Sequence, residues 1–194
     1  MSRHVIDYGD GRLELDLADE AFVGAFEPPA ALPAEGLKAA LREALERPTN
    51  YPPLRQVVVP GDRVALALDP EIADPGPILG VVAEVLGSAG VQAEDLTIVT
   101  APGRWTPSPD GLPAKLEIHD PSNRDHLAYL AATVGGTRVY LNRTLTDADV
   151  VVPIGRIRHD PLGGLHGPGD VLYPGLAEAP APRDAGAEPA KDGG

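Results

Sequence analysis

Residues 149–176, DVVVPIGRIRHDPLGGLHGPGDVLYPGL, hold the densest set of groups in this chain that could do chemistry. His159, Asp160, His166 and Asp170 stand among glycines just after the apolar run Val150 to Ile154. Imidazole and carboxylate are ligands for nickel or zinc, and a glycine-rich loop gives them room to converge on one ion. The same composition also describes an ordinary solvated loop, because loops are polar and His-Gly pairs are common in them. That second reading carries more weight, and the metal set stays a candidate.

Two further places offer chemistry. Arg104, between Gly103 and Trp105, could clamp a carboxylate or phosphate while the indole stacks on a planar ligand. Alternatively it pairs with a surface acid, and the acidity of the chain weighs toward that. Asp69 follows an apolar run and precedes Pro70, so it is either a ligand for a hydroxyl or a turn residue. His119 and His126 are better explained by packing or exposure than by catalysis. Ser108 and Ser122 lack a nucleophile-elbow pattern, and the glycines do not form GxGxxG at a strand–helix junction.

These residues need a scaffold, and the hydrophobic pattern predicts one. Residues 3–8 and 12–17 alternate in the strand manner around Gly9-Asp10-Gly11, which predicts a β-hairpin. Leu37, Leu41 and Leu45 mark one face of a helix over 35–47, which Pro48 ends. Residues 63–68 predict a buried strand. A helix over 78–86 follows, with Asp74 as N-cap, Pro75 as first residue, and Gly87 and Gly90 closing it. Strands are expected at 96–100, 115–118, 137–141 and 150–154. A helix capped by Asn123 is expected through 130–134, stopped by Gly135-Gly136, and one helical turn at 145–148. Alternating strands and helices, with several strands apolar throughout, predict an α/β fold: a doubly wound, mostly parallel sheet with helices on both faces. Ligands in such folds bind beyond the carboxyl ends of the strands, where loops 69–74, 101–108 and 155–169 leave the sheet.

The 194 residues suffice for one domain over 1–176, and 177–194 read as a disordered Ala/Pro/Gly-rich tail. The core must be aliphatic, since 43% of residues are hydrophobic but only 4% aromatic. A net charge of −13 argues against nucleic acid and against an anionic membrane surface. A small anion is compatible with it, because one Arg or a few backbone N–H groups can override net charge locally. Cysteine is absent, which excludes disulfides and thiolate chemistry. Without an apolar leader or span, a cytoplasmic protein is the expectation.

Four segments, in order, resemble the N-terminal domain of the nickel-pincer lactate racemase family, the 2-hydroxyacid racemases and epimerases. They are Leu66-Ala67-Leu68-Asp69 with Pro75 and Pro77, residues 96–104, Leu141-Asn142-Arg143 with Ala148-Asp149-Val150-Val151, and Gly155, Gly164 and Gly167 with Leu172-Tyr173-Pro174-Gly175. The resemblance runs to about Leu176. It implies a cofactor-contacting set of Asp69, Gly103, Arg104, Gly163, Gly164, Gly167 and Asp170, with His159, Asp160 and His166 as the metal candidates.

The departures from the family pattern shape the functional expectation. The Lys that tethers the family's nickel-pincer nucleotide corresponds to Asp170, and a carboxylate cannot form that amide-type link. The nickel-binding His falls between His159 and Asp160, and the acid–base His of the second loop falls near Arg104, a poor general base. No catalytic residue is assigned. The expectation is a single-domain, racemase-like protein that is inactive alone, its cofactor absent or not tethered and the family's second domain missing. The alternatives are a non-catalytic module for a small anionic ligand, a 2-hydroxyacid or nucleotide, or one half of a split racemase completed by a partner chain.

Overall fold

The computed structural model of the protein describes residues 2–8, 11–24, 32–105, 111–160 and 164–178. The chain divides into two units, Met1–Leu32 and Pro33–Gly194. In the first, the alternating segments form the expected hairpin: β1 (Ser2–Tyr8) pairs antiparallel with β2 (Gly11–Leu17), in register from Ser2 opposite Leu17 to Tyr8 opposite Gly11. The His4 ring stacks on Phe22 with centroids 4.0 Å apart.

The second unit carries the sheet. It begins with α1 (Ala34–Glu46), β3 (Val64–Leu68), α2 (Gly76–Ser88), β4 (Leu96–Thr100) and β5 (Lys115–Ile118). It continues with β6 (Leu127–Ala132), β7 (Arg138–Asn142), α3 (Arg143–Asp147) and β8 (Val150–Ile154). A ribbon of β9 (Arg158–Asp160) and β10 (Gly164–His166) follows. Strands β5, β4, β3 and β8 lie in that order and are parallel throughout. The chain enters at β3, moves outward through β4 to β5, then returns to the other side of β3 as β8. The order of connection therefore reverses between β3 and β8, which is where open α/β sheets form their ligand crevice.

All five residues of β3 are buried, and their alternation explains both faces. Val64, Leu66 and Leu68 pack against Leu79, Val82 and Leu86 of α2. Ala65 and Ala67 point to the other face, where Leu145, Val171 and Leu176 cover them. Alanine there lets short elements come close: among the described residues, the single turn of α3 and the bend at 171–176 cover this face. Pro153 sits in β8, an edge of the sheet, where its missing N–H leaves no unmade bond on the free side. The start of β8 is fastened by Asp149, which accepts from the Arg63 N–H at 2.9 Å. That bond holds the Asp149 carboxyl below its ordinary range.

Two expectations are corrected. The segment after Asn123 is not a helix. Asn123 does cap, accepting from the Asp125 N–H, but only the 3-10 turn Arg124–His126 follows before β6. Pairing with β7 satisfies that backbone, with Tyr129 edge-on to Tyr140, and this outweighs the helix propensity of its Leu and Ala. Gly136, at φ +82°, belongs to the hairpin turn rather than to a helix stop. Helix α2 starts one residue later than expected: Pro75 is the N-cap, with no side-chain cap bond from Asp74. Beyond the bend at 171–176, Ala177 is buried and the Glu178 N–H donates to the Tyr140 carbonyl, so the fold includes both residues.

Candidate functional site

The three loops at the carboxyl edge of the sheet meet in a cleft of about 160 Å³ beside the β3–β8 reversal. Asp69 is its first wall. Its N–H donates to the Ile154 carbonyl at 2.8 Å, carrying the β3–β8 ladder one step past the strands. Its side chain does two jobs. Oδ1 accepts from the Glu71 N–H at 2.9 Å, which makes the turn, and Oδ2 lies 3.4 Å from Arg156 Nε. The residue is only 8% exposed. Burial strengthens this ion pair relative to one in open solvent, although Arg156 itself remains wet.

Gly103 sets the second loop against the first. A Cβ there would lie 2.4 Å from Pro70 Cβ and 2.7 Å from the Pro70 carbonyl oxygen, so only glycine permits this approach. The Trp105 N–H then donates to the same carbonyl at 3.3 Å. Arg104 does not join the cleft. It borders a separate groove between α1 and the end of β8.

The third loop is a ribbon rather than the expected open loop. His159 pairs with Leu165 and Arg158 with His166, so the two histidines face opposite sides of it. Arg156, Arg158 and His166 line the cleft, whereas Ile157 and Leu165 lie 77% and 76% exposed on the outer side. His159 and His166 therefore do not converge, and among the described residues no group of three or more His, Asp or Glu is placed to hold a metal ion. Of Asp160, only the backbone pairing with Gly164 is described; Gly163 lies outside the described residues. Gly164, at φ +80°, leads into β10.

Asp170 folds back on its own loop, accepting from the Gly167 N–H at 2.6 Å with His166 Nδ1 at 3.4 Å. The Arg158 side chain, by contrast, has no hydrogen-bond or ion-pair partner among the described residues, and it borders the cleft. Sequence reasoning missed Arg156 and Arg158. Their period of two, RIR directly after Gly155, was the available signal that both side chains share a face.

The back wall of the cleft includes Gly175 and Leu176, held by a buried polar network. The Asn142 N–H donates to the Leu176 carbonyl at 2.8 Å, and His119 Nε2 donates to the Ala177 carbonyl at 3.0 Å. With Asn142 Nδ2 3.4 Å from His119 Nδ1, the ring proton belongs on Nε2. Asn142 also donates to Glu117 Oε1 and accepts from the Thr144 N–H, while Thr144 Oγ1 donates to Glu117 Oε2. His119 is thus a packing residue with both ring nitrogens engaged.

Residues 8–181 match the family model of the lactate racemase N-terminal domain. The chain belongs to that family. Its fold is similar to that of the lactate racemase apoprotein from Thermoanaerobacterium thermosaccharolyticum, with TM-score 0.63 and 21% identity over 91% of this chain. This chain spans 44% of that protein, less than half its length. A Thermotoga maritima protein of known crystal structure is similar at TM-score 0.50 and 17% identity, over 75% of this chain and 39% of that one. No curated protein matches the chain. Among the described residues no helix is long and apolar enough to cross a membrane.

Proposed function

We propose that this lactate racemase N-terminal domain binds a small hydroxylated anion, a 2-hydroxyacid or a nucleotide, in the cleft at the β3–β8 reversal, and that it does not racemise by itself. Arg158 carries this reading: it is a guanidinium without an ion-pair partner among the described residues, set in a cleft that also holds carboxylate acceptors. A ligand carboxylate or phosphate can take two N–H bonds from Arg158. Its hydroxyl can donate to Glu71, or to Asp170 Oδ1, the oxygen that Gly167 and His166 do not use, which explains acids in a site for an anion. Calorimetry on the full chain with lactate, longer 2-hydroxyacids and nicotinate mononucleotide tests this, and silence across the panel would defeat it.

The ion pair across the cleft makes a signed prediction. Asp69→Asn keeps the acceptor for the Glu71 N–H but releases Arg156 toward the ligand. Affinity should rise roughly fivefold, about 1 kcal/mol. A fall would mean that the Asp69 carboxylate itself contacts the ligand.

The residues present do not fit a tethered nickel-pincer nucleotide. At the position corresponding to the tethering Lys, the Asp170 carboxylate is occupied by the Gly167 N–H and His166. Among the described residues no lysine lines the cleft, so they offer no amine for a covalent link. In protein purified from its own host, the peptides covering residues 149–176 should have their plain sequence mass. A covalent adduct at 149–176 would contradict this.

A second reading is favoured by one observation. Ile157 and Leu165, on the outer face of the ribbon over the cleft, and Tyr173 nearby in sequence are large apolar side chains left in solvent. Such groups at the rim of a site suit a covering partner, here a partner chain supplying a second domain. Co-purification from the host that Leu165→Asp abolishes would support it.

A further inference from the structure

A groove of about 530 Å³ lies between α1 and the carboxyl end of β8, beside the cleft, with which it shares only Glu71 and Arg156. That volume falls in the range of roughly 300–1,000 Å³ usual for small-molecule sites. Leu37, Leu41 and Leu45 form one wall, Ile72 and Ile78 another, and Arg104 stands at the border. The three leucines are the apolar stripe of α1, yet all remain half-exposed, so the helix leaves its hydrophobic face incompletely covered. Of the charged groups on the border, Arg156 is engaged with Asp69 and Glu71 is acidic. Arg104 has no hydrogen-bond or ion-pair partner among the described residues. On a chain of net charge −13, a guanidinium without a partner among the described residues, beside an aliphatic surface, calls for an anion carrying a hydrocarbon tail.

We infer that this groove binds an aliphatic carboxylate, its chain along the α1 leucines and its head on Arg104. Its cation differs from that of the cleft: Arg104 borders only the groove and Arg158 only the cleft. A lactate-sized ligand has no tail to use it; a medium-chain acid does. Calorimetry on the full chain with butyrate, hexanoate, octanoate and decanoate should show affinity rising roughly fourfold per methylene, as buried CH₂ groups require. Arg104→Gln should weaken decanoate at least tenfold and leave decanol unchanged, whereas Leu41→Gln should weaken both. Arg104 is exposed, so its variant keeps the test open even if Leu41→Gln unfolds.

Affinity independent of chain length would overturn the assignment, as would decanoate binding that survives Arg104→Gln. Loss of decanoate binding in Arg158→Gln instead would place the acid in the cleft and overturn it too. A dimer that Leu41→Gln dissociates, with no decanoate bound by the wild type, would give the groove to a second copy of the chain.

Discussion

Asn142→Ala should lower stability by about 3 kcal/mol, since each buried partner left unsatisfied costs roughly 1–3 kcal/mol. Asn142 is fully buried and serves four groups: Glu117, His119, the Thr144 N–H and, through its backbone, Leu176. Alanine keeps the backbone bond but strips the other three, with a void in place of the amide. For a domain of this size the loss corresponds to roughly a 10 °C fall in Tm. Asn123 is the control. It makes the same kind of local cap, to the Asp125 N–H, without a buried network. Asn123→Ala should cost no more than about 1 kcal/mol. Chemical denaturation of both variants checks the pair, and equal, small losses would show the network to be incidental. Because the network anchors residues 175–177, ligand binding in the cleft should weaken along with stability.

Gly103→Ala should destabilise by about 2–3 kcal/mol, the scale of overpacking against unyielding neighbours. The obstacle is Pro70, met at both its ring and its backbone carbonyl, so no side-chain rotation relieves the clash. Separating the two loops also breaks the bond from the Trp105 N–H to Pro70. Pro70 lines the cleft, and its displacement should reduce anion binding as well. Gly80 supplies a contrast of opposite sign. It lies in α2 with open space around its Cβ position, and Gly80→Ala should stabilise by about 0.5–1 kcal/mol through backbone entropy. Thermal unfolding of the two variants should move in opposite directions; a neutral Gly103→Ala would mean that the loops do not rest on each other.

The α/β class was legible because β3, β4 and β8 are short apolar runs bounded by Gly, Pro or Asp, and α1 and α2 carry helical spacing. β6 was misread since Leu-Ala-Tyr-Leu-Ala-Ala favours a helix locally, and only its pairing with β7 decides otherwise. The ribbon of β9 and β10 was missed for a related reason: each strand has three residues, and the one alternating signal, Arg156-Ile157-Arg158, only overlaps the start of β9. That miss hid Arg156 and Arg158 on the cleft side and placed His159 with His166, which the pairing sets on opposite faces. Asp69 and Asp170 border the cleft and Gly103 lies against Pro70 at its edge, so the sequence located these positions, while their contact with a ligand rests on the proposal above. Arg104 stood out too, but the turn after Gly103 sends it to the neighbouring groove, and nothing in the local sequence encodes that direction.

The central claim is that a hydroxylated anion sits on Arg158 at the β3–β8 reversal. The most direct test is a titration of isotope-labelled full chain with lactate and a longer 2-hydroxyacid, followed by backbone amide shifts, in wild type and Arg158→Gln. The account predicts saturable shifts at Asp69, Glu71, Gly167 and Asp170, with affinity falling at least about tenfold in the variant, the scale of one charged hydrogen bond. Shifts that leave those amides still, or that persist undiminished in Arg158→Gln, would contradict it.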